Sequence, residues 1–207
     1  MALVKRPDGR LVVVCGASRS GKTLWTSQQV RSARRMLVWD SVGEWADRYG
    51  CERVPTLADL AERVKAGGSG RLAFYGSPPQ FDQFCRLAWV WLRMARGVLV
   101  VEELADVTHP GKAPLAWGEI VRKGLRYGVE VFALTQRPSE SDKSSIGNAT
   151  VIHSHRMARD ADRRYIAAEL GVPVAEVEAL QPLHWIERDA LGATRRGRVK
   201  VAQIAGR

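Results

Sequence analysis

Long apolar runs are missing from this chain. Its most apolar helical stretch, Leu87-Ala88-Trp89-Val90-Trp91-Leu92, is bracketed by Arg86 and Arg93 and is too short to cross a bilayer. No secretory leader is legible either, because Met1 to Arg10 is short, polar and followed directly by a strand-like run. Cysteine is scarce. Cys15, Cys51 and Cys85 are too few and too scattered for a disulfide framework, and none has metal-ligand spacing, so a reducing, cytoplasmic setting is expected. Internal repeats and low-complexity segments are absent. Acid is in short supply: 22 Asp and Glu against 32 Lys and Arg leave a net charge of +10, which points to a polyanionic partner, nucleic acid before a membrane surface. The excess is concentrated at the start, where Lys5, Arg6, Arg10, Arg19, Lys22, Arg31, Arg34 and Arg35 face Asp8 alone.

What is present begins with LVVVCGASRSGKT, residues 11–23. The β-branched run Leu11 to Val14 reads as a buried strand, and Gly16-Ala17-Ser18-Arg19-Ser20-Gly21-Lys22-Thr23 fits G-x-x-x-x-G-K-[ST] at every fixed position. In such a loop successive backbone N–H groups turn inward around phosphate oxygens, and Gly16 and Gly21 permit the close approach. Lys22 would reach the β- and γ-phosphates of ATP, Thr23 would place its hydroxyl on Mg²⁺, and the next helix presents its positive end.

The rest alternates strands with helices. A helix is expected over Lys22 to Arg35, then a strand at Met36 to Trp39 ending in Asp40 and a loop through Trp45. Leu57 to Ala66 reads as a helix capped by Thr56, its apolar stripe Leu57, Leu60, Ala61 and Val64. Arg71 to Tyr75 is a strand, and a long buried helix runs from Ser77-Pro78-Pro79 to about Arg96. Further strands are read at Gly97 to Val101, Val129 to Leu134 and Val151 to His155. Helices are read at Pro114 to Tyr127 and Asp160 to Leu170, and a hairpin pairs Leu183 to Glu187 with Thr194 to Val201. The pattern predicts one α/β domain over 1–207 with a mainly parallel sheet covered on both faces. Residues 172–207 form a small C-terminal hairpin or appendage. Ligands of such sheets sit at the carboxyl ends of the strands, where Gly16 to Thr23, Asp40, Glu102, Glu103 and Gln136 all fall.

Those strand ends supply a chemistry. Glu102 can hold Mg²⁺ through water, and Glu103 can polarise an attacking water. Gln136 ends a buried strand, where its amide can sense the γ-phosphate. Arg122 and Arg126, one turn apart at a helix end, can reach a neighbouring subunit's nucleotide or simply complement the helix dipole.

Val121 to Pro138, VRKGLRYGVEVFALTQRP, resembles the segment through the T-Q-R-P motif of the FtsK–HerA superfamily of DNA-pumping ATPases. Asp40-Ser41-Val42-Gly43-Glu44-Trp45 resembles the D-P-x-G-E-[YW] element of HerA-type members, with Ser41 in place of the usual Pro. With the nucleotide loop and the acids after Val98 to Val101, four elements occur in the superfamily's order. The length is that of the packaging ATPases of tailless, membrane-containing viruses. The resemblance implies a RecA-like fold, ATP and Mg²⁺, a homo-oligomeric ring (a hexamer favoured) and translocation of double-stranded DNA in the host cytoplasm. Capsid or virion vertex proteins are further partners. It assigns Gly16, Gly21, Lys22 and Thr23 to the nucleotide loop, Glu103 to the catalytic acid and Gln136 to the sensor, and Arg126 lies where a trans-acting arginine is expected, with Arg122 the open alternative. Glu102 stands where these families usually carry Asp. Candidate DNA contacts are Lys112, Lys143, Arg195, Arg196, Arg198 and Lys200. Three other readings stay open here: a filamentous-phage assembly ATPase, a nucleotide-gated binding module for DNA or capsid, and a small-molecule kinase.

Overall fold

A computed structural model describes residues 9–201, so Lys5, Arg6 and Asp8 of the basic N-terminal stretch lie outside the described residues. Among the described residues nine strands form one sheet: β1 (Arg10–Cys15), β2 (Arg35–Trp39), β3 (Glu52–Val54), β4 (Gly70–Phe74), β5 (Val98–Val101), β6 (Glu130–Thr135), β7 (Val151–His155), β8 (His184–Asp189) and β9 (Thr194–Arg198). Their order is β3-β4-β2-β5-β6-β1-β7-β8-β9. The first seven pair in parallel, and the hairpin β8–β9 adds antiparallel to β7.

Helices cover both faces because the central strands are apolar on both sides. Leu11, Val13 and Cys15 of β1 face one core, and Val12 and Val14 face the other. The first core is closed by α3 (Leu57–Ala66), α4 (Phe81–Met94), α5 (Leu115–Lys123), α6 (Lys143–Gly147), α7 (Asp160–Leu170) and α8 (Val174–Glu178). In α4, Phe81, Phe84, Cys85, Ala88, Trp89, Trp91 and Leu92 are buried, each large side chain contributing roughly 1.5–3 kcal/mol. The second core is closed by α1 (Lys22–Gln29) and α2 (Glu44–Arg48) through Trp25 and Trp45. Among the described residues no helix is long and apolar enough to cross a membrane.

Several boundaries differ from the sequence reading. The first helix stops at Gln29, and Arg35 instead opens β2. There its guanidinium stacks 3.6 Å over Trp91 and donates to the Trp91 and Ala95 carbonyls at 2.7 and 2.9 Å, closing the end of α4. The segment after Asp40 is not all loop, because Gly43, at φ 80°, starts α2. The helix expected through Tyr127 is α5 followed by a 3₁₀ turn at Gly124–Arg126. Strand β3 and helices α6 and α8 are too short to carry a readable period. Thr56 caps α3 as expected, accepting from Asp59 N at 3.1 Å.

Candidate active site at the carboxyl edge of the sheet

The parallel strands deliver the loop after β1, the acids after β5 and Gln136 after β6 to one edge. There they line a cleft of about 540 Å³ with Ser41, Val42, Glu44, Arg48, Tyr49, Asp106 and Leu183. Ser18, Arg19, Ser20, Gly21, Lys22 and Thr23 form its phosphate-loop wall. Gly21 adopts φ 113°, and a Cβ at Gly16 would meet Ser20 Oγ at 2.5 Å and His155 Cβ at 2.8 Å, so both positions need glycine. Arg19 also takes a left-handed φ of 57° and is exposed. Ala17 is buried, its N–H donating to Arg156 O at 2.8 Å.

Lys22 is buried and donates from Nζ to Gly16 O at 2.7 Å and Ala17 O at 3.1 Å. Burial pulls its pKa down, and Glu103 and Glu102 oppose that pull. Thr23 Oγ1 donates to Glu102 Oε1 at 2.9 Å, and Trp45 Nε1 donates to Glu102 Oε2. Burial pushes the Glu102 carboxyl up to about 7, against these two hydrogen bonds. Thr23 and Glu102 therefore present two converging hard oxygens, a donor pair suited to Mg²⁺.

Glu103 is gripped more fully. Oε1 accepts from Thr135 Oγ1 at 3.0 Å, and Gln136 N donates to both oxygens at 3.0 and 3.1 Å. Burial raises its pKa, while the Gln136 N–H and Lys22 pull it back. The carboxylate is thus tied to the end of β6, with the exposed Gln136 side chain lining the cleft beside it.

Three predicted residues are not brought to the cleft. Asp40 is buried and caps α2, its Oδ2 accepting from Trp45 N at 3.1 Å and Ala46 N at 3.3 Å. It shapes the site through Trp45 instead of facing a nucleotide. Arg122 and Arg126 are exposed at the opposite edge, where Leu125 packs against Gly9 before β1, and Arg122 folds over Gly118. Of the basic candidates, Lys112 and Lys143 are exposed neighbours joined through Lys143 N to Gly111 O at 3.3 Å. Arg195 pairs with Asp189 and Arg196 with Glu176 on the edge strand β9, where Arg198 is exposed, as is Lys200 just beyond the strand.

Sequence reasoning missed the Trp45 bond, although Trp45 was in plain view in the Asp40 element. It also missed Thr135 and the α2 side chains, which only tertiary packing brings in.

The fold and this cleft define a P-loop nucleotide-binding domain. The chain belongs to the family of Protein P9 of Pseudoalteromonas phage PM2, with which it is 33% identical over 175 residues, 82% of this chain and 78% of the relative. No protein-family model matches the sequence. Among solved structures, the genome packaging NTPase B204 of Sulfolobus turreted icosahedral virus 2, in complex with AMPPCP, superposes with a TM-score of 0.78 at 16% identity, covering 95% of this chain and all of that one (100%). The pCW3 conjugation coupling protein TcpA, with ATPγS, gives a TM-score of 0.57 at 12% identity over 93% of this chain and 60% of its own.

Proposed function

We propose that this chain is the ATP-hydrolysing motor that translocates double-stranded DNA into a viral particle, working as a homo-oligomeric ring, with a hexamer favoured. The observation that carries the reading is the grip of Thr135 and Gln136 on Glu103, which links the hydrolytic acid to the strand end carrying the T-Q-R-P motif. The phage relative, the fold shared with a packaging NTPase and the net charge of +10 support it.

In this reading the loop N–H groups and Lys22 bind the β- and γ-phosphates, and Glu103 orients the attacking water and accepts its proton. Thr23 and Glu102 would hold Mg²⁺, which when bound neutralises charge on the β- and γ-oxygens. Gln136 senses the γ-phosphate. With Arg122 and Arg126 far from their own cleft, either serves the neighbouring subunit's site. Lys112, Lys143 and the β9 arginines contact DNA phosphates, and capsid or vertex proteins dock the ring in the host cytoplasm or on the virion. Residues 1–207 act as one RecA-like domain, whose sheet the hairpin β8–β9 extends.

The test is the ATPase rate against protein concentration, with and without double-stranded DNA. The rate per chain is expected to rise with both, and Lys22→Ala to abolish it. A rate indifferent to concentration and DNA would overturn the ring-motor reading.

A further inference from the structure

Beneath the phosphate loop lies a buried chain of imidazoles that the ATPase chemistry does not use. His155 Nδ1 lies 3.1 Å from His184 O, His155 Nε2 lies 3.3 Å from His153 Nε2, and His153 Nδ1 lies 2.9 Å from Glu187 Oε2. Both rings are fully buried, and His153 is stacked on Trp25 of α1 at a centroid distance of 3.7 Å. The chain touches the loop directly. A Cβ at Gly16 would lie 2.8 Å from His155 Cβ, and one at Gly21 would lie 3.4 Å from His155 Cε1. Its far end, Glu187, belongs to the hairpin, whose root also holds the loop through Leu183 N to Ser20 O at 3.1 Å.

The proton count of this chain is fixed by its acceptors. A carbonyl only accepts, so His155 carries its hydrogen on Nδ1 and presents a lone pair at Nε2. His153 must then donate from Nε2. A neutral His153 would turn a bare Nδ1 toward a carboxylate, two acceptors face to face. The three contacts close only when the His153–Glu187 pair holds one extra proton. Without it one of the three contacts is lost, since the two rings then hold too few hydrogens to close the chain from Glu187 to His184.

We propose that His155, held by His153 and Glu187, is a positioning residue for the phosphate loop, and that uptake of one proton by the His153–Glu187 pair tightens the loop on the triphosphate. The proposal rests on the loop being the triphosphate site. Burial pushes His153 below the ordinary imidazole value while Glu187 pulls it back up. Burial, with the neighbouring His153, pushes His155 down to about 3, so His155 stays neutral. The other charges around the chain are Lys22 from α1, which acts on His155, and Arg195, opposite Glu187 on β9 and paired to Asp189. From β1, Val12 and Val14 are the apolar neighbours of β7. The pair therefore takes its proton on the acid side, and loop affinity is lost as pH rises.

Glu187→Gln separates this device from simple packing. Its amide donates to His153 Nδ1 without any extra proton, so the chain is closed at every pH. KM for ATP is measured for both proteins at about pH 4.5 and about pH 8, the first set well below the free imidazole value because burial lowers that of His153. Comparison at one pH cancels the titration of ATP and of the acids in the cleft. The wild-type KM is expected to exceed that of Glu187→Gln about fivefold at the higher pH, the worth of one buried hydrogen bond, and to match it at the lower. The kcat profiles of the two proteins should coincide. A constant KM ratio at both pH values would overturn the proposal. Nitrogen-15 spectra of the histidines provide the readout independent of turnover. At low pH, Nδ1–H on His155 with Nε2–H on His153 is expected, and the reverse tautomer on His155 would overturn the chain even if the protein binds ATP. If ATP does not bind at all while the tautomers are as expected, it is the nucleotide reading that fails.

Discussion

Trp45 donates its indole N–H to Glu102, so α2 holds the acid at the end of β5. Asp40 makes this possible by capping α2, which fixes Trp45, and Thr23 holds the other carboxylate oxygen at 2.9 Å. The Asp40-to-Trp45 element thus works through an indole and a helix cap.

Trp45→Phe keeps the ring in the second core and deletes only the donor. Because that donor favours the ionised carboxylate, Glu102 should become still harder to ionise. ATP turnover at neutral pH is expected to fall about tenfold, the cost of one charge-assisted hydrogen bond, and to recover as pH is raised. A pH–rate profile checks it, since the acid limb should move to higher pH. An unmoved limb would make the bond incidental to activity.

Glu102→Gln should abolish turnover yet stabilise the metal-free protein. The carboxyl is raised from 4.5 to about 7 by burial, so the folded state binds its proton more tightly than the unfolded chain does. Its contribution to stability is therefore greatest below the unfolded value and is lost as pH climbs through about 7. Glutamine escapes that loss, and its amide can still accept from Trp45 and donate to Thr23. In chelator, thermal unfolding should show the variant more stable at pH 8 by about 1–3 kcal/mol, with the gap closing near pH 4. A gap independent of pH would point to packing instead of ionisation.

Thr135→Val should lower kcat about tenfold with KM little changed. The hydroxyl donates to Glu103, accepts from Arg137 N at 3.0 Å and meets Ser141 Oγ at 3.0 Å, so it orients the acid without facing phosphate. Thr135→Ser restores the donor and should restore kcat. Steady-state kinetics of the pair decides it, and a serine variant as slow as valine would show that the methyl, not the hydroxyl, matters.

The cleft was legible because its signals are local. A β-branched run, a glycine-lysine-threonine turn and two acids after Val98–Val101 each sit within a few residues, and parallel topology then forces them to one edge. The ends of long elements were less legible. Arg35 looks helical by composition, but its contacts with Trp91 and Ala95 draw it into β2. Long-range partners were not legible at all. Trp45 and Glu102 stand 57 residues apart, and His153 and Glu187 stand 34 apart. The alternation that identified β7 gave no sign that its histidines would face the phosphate loop.

Arg122 and Arg126 give the last prediction, because their distance from their own cleft makes a trans role measurable. Arg126→Ala should keep nucleotide binding, since the residue touches no part of its own phosphate loop. It should lose turnover by a factor of about 10³ or more if it neutralises charge in the neighbour's site. Lys22→Ala is inactive for the opposite reason, having an intact arginine and a broken loop. Mixing the two inactive proteins places an intact loop beside an intact arginine at some interfaces, so activity should return in the mixture and follow the fraction of such interfaces. If the Arg126→Ala mixture stays dead while an Arg122→Ala mixture recovers, the role passes to Arg122. If neither mixture recovers, the active site is complete within one chain or takes its arginine from elsewhere.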